Sequence, residues 1–368
     1  MSSRINLNVT VIVLSFLVSC SYNPQSKKEN SSFLPRATGE NNEMLIVMDS
    51  SKFKGSIGRA LVETYGEFLI GLPQPETRFD LIHIKPRKFN NILKHAKNIV
   101  IAFTLEGKSL DSEILRKNFN SESLDKIESD SSLFYFSRRD QYAKGQTILY
   151  LFSKSDDDLL KKIKKNKSVI LKYFQDELKK RVDREIFSKL EKNISDKLFK
   201  DHQIKIKIPY GYDLAKNIKE ENKNFFWLRQ LDPEFEKNIF LYYEDYEESE
   251  LKNFYDVFNT EYPNIKRIRN KISKLFLTDS ENSKIFMSIQ DVYPINSKRI
   301  NFKGNSSVES VGLWKLSDIS AGGPFNSIII YDSNKKRVYY LEGYVYAPGS
   351  KKRNLMQEIS SILMTFEI

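Results

Sequence analysis

The stretch SIIIYDSNKKRVYYLEGYVY, residues 327–346, decides how the chain is read. Two β-rich runs, Ser327–Asp332 and Lys336–Tyr346, flank Ser333-Asn334, whose residue types favour a turn, so the stretch predicts an antiparallel hairpin. Side chains alternate along a strand. Tyr339, Leu341, Gly343, Val345 and Ala347 share one face, which reads as core. Val338, Tyr340, Glu342, Tyr344 and Tyr346 share the other. A helix, Lys351–Met364, follows the hairpin.

Working back, Ile204–Ile208 alternates apolar and charged residues and predicts a strand with one wet face. Further strands are expected at Phe225–Gln230, Asn238–Tyr243, Ile285–Val292, Ile300–Phe302 and Val308–Leu316, with helices at Glu248–Glu261 and Ile265–Phe276. The first half reads as strand, helix, strand, helix, strand: Met44–Met48, a helix from Ile57 to Tyr65, Phe79–Ile84, a helix at Phe89–Ala96, and Asn98–Thr104. Residues 107–132 read as a polar loop with a short helix. Leu133–Arg138 and Gln146–Ser153 then pair. From Asp156 onward, apolar residues recur at helical spacing to Leu198 without Gly or Pro. One helix over about 156–200 would run roughly 60 Å at 1.5 Å per residue, with possible breaks near Lys165–Ser168 and Ser195. The expected fold is α+β: two sheet-plus-helix halves, 44–200 and 201–368, joined by that helix.

Residues Val9–Val18 are almost wholly apolar and too short to span a bilayer. They end in Leu17-Val18-Ser19-Cys20, and Cys20 is the only cysteine of 368 residues. This pattern reads as a lipoprotein signal over 1–19, removed so that the Cys20 sulfur carries a diacylglyceryl group. Residues 20–43 then form the lipidated cysteine and a polar, flexible tether. With no second cysteine, the body is held by its core alone. The chain carries a formal net charge of +11. A lipid-anchored envelope protein does not meet nucleic acid, so the basic surface points to anionic lipid, glycan or an envelope protein, or is simply a solvated lysine-rich surface.

Several motifs resemble the domain-of-unknown-function 4837 family: Gly71-Leu72-Pro73-Gln74-Pro75-Glu76 with Phe79-Asp80, Ile208-Pro209-Tyr210-Gly211-Tyr212, Trp227-Leu228-Arg229, Gly312-Leu313-Trp314, Gly322-Gly323-Pro324-Phe325, and Glu342 to Pro348 with Lys352-Arg353. The resemblance runs along nearly the whole chain after the tether. It implies an envelope lipoprotein of Bacteroidota-type bacteria and brings no catalytic residue. Ala321 departs from the methionine expected before the two glycines.

His83, His95 and His202 are scattered, and none has a second ligand at metal spacing, so no metal and no cofactor are expected. Gly107-Lys108-Ser109 follows a strand but lacks the glycine that a phosphate loop needs at Ala102, and reads as a polar turn. The candidate binding surface combines Trp314, Gly322, Gly323, Phe325, Tyr340, Glu342, Tyr344, Tyr346 and Arg353. Tyrosines around a carboxylate, with cations following, suit glycan or peptide binding. The competing reading is structural: Arg353 pairs with Glu342, the tyrosines pack beneath the long helix over about 156–200, and the two glycines make a tight connection under Trp314. Trp227 and Arg229 share a strand face and either extend that surface or brace the sheet. The expected role is a lipid-anchored, non-catalytic binder or scaffold on the outer membrane. The alternative is a carboxylate-based hydrolase or transferase using Asp80, Glu76 or Glu342. On the binding reading, Tyr344→Ala or Arg353→Ala weakens capture and leaves folding intact.

Overall fold

In a computed structural model, the structure describes residues 33–220, 223–245, 265–278, 282 and 284–368. The expected signal segment 1–19, Cys20, most of the tether and the helix Glu248–Glu261 lie outside the described residues. The fold is α+β, with two sheets.

The first sheet contains β1 (Glu43–Val47), β2 (Asp80–Ile84), β3 (Asn98–Thr104), β4 (Tyr135–Arg139) and β5 (Thr147–Ser153), in the order β2-β1-β3-β5-β4. Neighbours are parallel except the β4–β5 pair. A parallel sheet covered on both faces needs strands apolar throughout, and β1 shows it. Met44 and Ile46 face the core shared with α2 (Ser56–Tyr65), α5 (Asp156–Lys165) and α6 (Lys167–Ile186). Leu45 and Val47 face the opposite layer, where Leu115 of α3 (Leu110–Arg116) and Ile127 of α4 (Ser121–Ser129) pack. α1 (Ser50–Lys54) is a short turn after β1. The helix expected at Phe89–Ala96 is instead two single 3-10 turns, Pro86–Lys88 and Leu93–His95.

The second sheet contains β6 (Asp213–Glu220), β7 (Lys223–Leu231), β8 (Glu236–Asp245), β9 (Met287–Ile289), β10 (Asn296–Phe302), β11 (Asn305–Leu316), β12 (Gly322–Asp332) and β13 (Arg337–Tyr346). It is antiparallel, ordered β10-β11-β12-β13-β8-β7-β6, with β9 also on β11. The 327–346 hairpin is as expected, and β13 is the sheet's centre: it lies between β12 and β8. That position buries both of its faces. Tyr339, Leu341 and Val345 pack with Leu198 of α7 (Lys192–His202) and Ile359 and Ile362 of α9 (Arg353–Leu363). Val338, Tyr340 and Tyr344 pack with Ile265, Ile272 and Phe276 of α8 (Ile265–Phe276).

Two expectations about the chain's course are corrected. The single helix over 156–200 is three: α5, α6 and α7. Asn166 ends α5, and the α6 cap at Phe187 opens a turn that leads to α7. Leu198 packs in the second core, whereas Leu178 and Val182 pack in the first, so the change of core falls between α6 and α7 rather than at 200. Ile204–Ile208 keeps its alternation, with Ile204, Ile206 and Ile208 buried, but it forms single bridges rather than a ladder. Its backbone bonds go to Glu367 and Glu191, and the Lys207 N–H donates to the Thr365 hydroxyl. No described helix is long and apolar enough to cross a membrane.

Candidate functional site

The proposed aromatic surface is not open. Trp314, Phe325, Tyr340, Glu342 and Tyr344 are buried beneath α8, not beneath the 156–200 segment expected to cover the tyrosines. At their centre, Arg269 and Glu342 form an ion pair with both side chains 0% exposed. Arg269 Nε donates to both Glu342 oxygens at 3.0 and 2.9 Å, and Nη2 donates to Oε1 at 2.8 Å. Arg269 Nη1 donates to the Ser288 carbonyl at 3.2 Å, and the Tyr340 hydroxyl donates to Glu342 Oε2 at 2.7 Å. Burial alone pulls the Arg269 pKa down, but the adjacent carboxylate outweighs it and the net displacement is upward. Burial pushes the Tyr340 and Tyr344 hydroxyls far above the usual phenol range, so they are neutral.

The glycines serve the same packing. Gly323 stands opposite Trp314 in the β11–β12 register, where a Cβ would lie 2.0 Å from the Val345 carbonyl oxygen. That oxygen accepts the Trp314 indole N–H at 3.1 Å. Gly322 and Gly323 therefore belong to a strand rather than to a ligand-facing loop. Tyr346 is half-buried, with its ring 6.4 Å from that of Trp314. Trp227 donates to Asn238 at 3.0 Å, and Lys216 and Arg229 lie over its ring at 5.9 and 5.7 Å.

Arg353 is nowhere near Glu342's pairing. It sits at the start of α9, in the seam between the halves, and pairs with Asp80 at 3.1 and 2.9 Å. It also donates to the Thr77 carbonyl at 2.7 Å. Beside it, the buried Glu76 carboxylate accepts the backbone N–H groups of Lys352 at 2.8 Å and Arg353 at 3.1 Å. These are orphan donors of a helix's first turn, here capped from the other half of the molecule. Gly71 makes the approach possible: its φ of +84° suits glycine, and a Cβ there would meet the Val311 side chain at 3.0 Å. Arg353 and Glu342, adjacent in the sequence reading, thus serve two separate contacts. The three acids of the hydrolase alternative are all engaged: Glu342 by Arg269, Asp80 by Arg353, and Glu76 by two amides.

Two of the histidines are likewise engaged. His83 stacks on Phe53 with ring centres 4.2 Å apart, and its Nε2 lies 3.0 Å from the Met48 carbonyl oxygen. His202 contacts the Tyr243 hydroxyl and Asn217. Among the described residues, no three His, Cys, Asp or Glu are grouped to hold a metal.

A different cluster has the geometry of a site. β1, β3 and β5 are adjacent and parallel, so their carboxyl ends meet on one edge. The chain leaves β1 for β2 on one side and returns to β3 on the other, and such a reversal opens a crevice at the strand ends. Polar residues from three separate segments fill that edge: Asp49, Ser51 and Lys52 after β1, Thr104 at the end of β3 with Ser109 after it, and Asp156 after β5. Lys52 Nζ donates to Thr104 Oγ1 at 2.6 Å and pairs with Asp156 Oδ1, which also accepts from Thr104 at 2.7 Å. Asp49 accepts from Ser109, Ser51 and two amides of α1. Burial pushes its pKa up, but these hydrogen bonds outweigh burial and bring it to about 2. Beside the network, a notch of about 180 Å3 opens between the α1–α2 turn and the start of α5. In sequence, Gly107-Lys108-Ser109 reads only as a polar turn, and nothing there ties it to Asp49, which caps α1. Ser109 does form such a turn, capping α3 through the Ser112 N–H at 3.1 Å. Their shared position after adjacent strands was the available signal.

Comparison with known proteins divides the chain in the same place as the two cores. Residues 191–365 match the family described as "Domain of unknown function (DUF4837)". The resemblance read from the motifs of the C-terminal half is thereby supported. DUF4837 does not extend over the first half: residues 37–187 match "Domain of unknown function (DUF8532)", and this stretch contains the Gly71–Glu76 motif. No curated protein matches the chain. Among solved structures, a mutant of the protein Mog1 is 10% identical, with 45% of this chain and 90% of that chain covered, at a TM-score of 0.25. At that score the likeness carries no argument.

Proposed function

We propose that this chain is a lipid-anchored lipoprotein of the cell envelope, held on the outer membrane through Cys20, whose body binds or scaffolds an envelope component and does no catalysis. The observation that carries the reading is the sole cysteine at the end of a ten-residue apolar run, directly after Leu17-Val18-Ser19. A thiol there is useful for one purpose, acylation, and two or more chains are needed for stable anchoring. The occupied state of Glu76, Asp80 and Glu342 supports the non-catalytic side of the reading: each carboxylate already serves a structural contact. Anionic lipid, glycan or another envelope protein is the partner class.

The test is metabolic labelling with palmitate in cells producing the wild-type chain and Cys20→Ala. Label should enter the wild-type chain only, and the variant should leave the detergent phase. Equal labelling of both chains, or no labelling of either, would refute the anchor.

A further inference from the structure

We propose that the edge at the amino ends of β3 and β5 is the face the body lays on the membrane, an anionic lipid surface that the exposed Phe33 and Ile92 enter. This deepens the role proposed above and rests on the anchor at Cys20.

The last residues of the expected tether are built into that edge. The Ala37 N–H donates to the Lys144 carbonyl at 2.9 Å, and the Lys144 N–H donates to the Pro35 carbonyl at 2.7 Å. On the other side, the Thr38 N–H donates to the His95 carbonyl at 2.8 Å, and the Lys97 N–H donates to the Thr38 carbonyl at 3.1 Å. Arg36 and Thr38 thus bridge to Lys144 and Ala96, just ahead of β5 and β3. The chain coming from Cys20 joins the body here.

Length then limits orientation. From Cys20 to Phe33 the chain advances 13 residues. At 3.3–3.6 Å each, these reach at most about 47 Å. The first half, roughly 155 residues, has a radius of gyration of about 15 Å when compact, that of a sphere ~19 Å in radius. The shortest path from one pole of that sphere to a plane touching the other is a quarter circumference plus one radius, about 50 Å. A lipid at Cys20 therefore keeps the opposite edge, at the carboxyl ends of β3 and β5, off the bilayer.

The near edge suits contact with lipid. Phe33 is 84% exposed and Ile92 77%, and each lies within three residues of a tether contact. Lys94 lies over the Tyr142 ring at 5.4 Å, a cation held on an aromatic face beside them. The segments that meet there, 33–43, 91–97 and 138–146, carry six lysines and arginines against three acids, and Glu177 neutralises one of the six, Arg139. Exposed apolar side chains and a cationic excess are the two terms that hold a protein at an anionic interface.

The experiment uses the acylated chain reconstituted in phosphatidylglycerol-containing vesicles. Its one native thiol, Cys20, is blocked by lipid, so a single added cysteine takes a bimane label. Pro35→Cys and Asn91→Cys report on the edge, and Lys108→Cys and Asp157→Cys report on the opposite one; all four positions are exposed. A lipid with a headgroup nitroxide should quench most of the fluorescence at the first pair and none at the second. Phe33→Ser with Ile92→Ser should restore the Asn91→Cys signal with melting temperature unchanged. Neutral phosphatidylcholine should lower the ratio of docked to undocked protein by about fivefold for each excess cation. Three results overturn the proposal: equal quenching at all four positions, stronger quenching at the second pair, or edge quenching indifferent to both the serine pair and lipid charge. Any of these with palmitate on the chain removes the docking face and leaves the anchor. A chain without palmitate removes both.

Discussion

Glu342→Gln should be the most damaging single-atom change in the C-terminal half. The carboxylate receives three N–H···O contacts from Arg269 and one from Tyr340, all between 2.7 and 3.0 Å, and neither charged side chain touches solvent. Neutralising it removes the counter-charge and leaves a guanidinium in the core against one amide oxygen, the Ser288 carbonyl and the Phe325 face, 5.3 Å away. Breaking a buried pair in this way costs about 3–5 kcal/mol. For a unit of this size, each kcal/mol lowers the melting temperature by about 2–4 °C, so the drop should be roughly 6–20 °C. The assay is built in, because both tryptophans, Trp227 and Trp314, lie in this half. Trp314 packs edge-on to Tyr344 in the same cluster, with ring centres 5.4 Å apart. Urea unfolding followed by tryptophan fluorescence therefore reports on this core. The double variant Arg269→Met with Glu342→Leu should recover most of the loss, since a well-packed apolar pair is often as stable as the ionic one. A loss below about 1 kcal/mol for Glu342→Gln, or a double variant as unstable as the sum of the singles, would refute the coupling.

Tyr344→Ala should cost about 3–5 kcal/mol in the same assay, because the ring is buried between Trp314 and Phe240. An unchanged unfolding midpoint would restore Tyr344 as a surface residue. Glu76→Ala orphans the Lys352 and Arg353 amides and should cost about 1–3 kcal/mol. Hydrogen exchange should then rise both in residues 71–80 and at the start of α9, whereas a rise confined to the loop would contradict the capping role. Asp49, with its folded pKa lowered to about 2 from 3.8, contributes stability that is full above pH ~4 and is lost as pH falls through about 2. Asp49→Asn should therefore be less stable at neutral pH and show a flatter acid limb between those values, measured by far-UV melts across pH.

The two cores were legible along the chain wherever a strand was buried on both faces or a hairpin supplied its own turn. β1, β3, β5 and β13 stand within a residue of their expected bounds, whereas β12 begins at Gly322, well before the expected Ser327. β6 was missed because Asp213–Glu220 is largely polar: it is an edge strand, paired only with β7, and needs little apolar surface. The break between α6 and α7 was also hidden, since apolar spacing continues through Ile186, Leu190 and Ile194 while the partner changes from one core to the other. Ile186 packs against both.

By itself the sequence determined what depends on local order: the apolar run ending at Cys20, the alternation of β13, and an α+β content. It did not determine which face of β13 meets solvent. Alternation separates two faces, but only the arrival of α8 with Arg269 decides that the tyrosine face is also interior. The same holds for charge. Glu342 and Arg353 are eleven positions apart and invite pairing, yet Glu342 finds Arg269, 73 residues away, and Arg353 finds Asp80, 273 residues away. A buried ion takes whichever partner the packing delivers, because desolvation makes an unpaired charge far more costly than a long loop. The polar network at the strand ends is tertiary for the same reason. Asp49, Lys52, Thr104, Ser109 and Asp156 are each ordinary turn residues, and parallel pairing of β1, β3 and β5 is what gathers them at one edge.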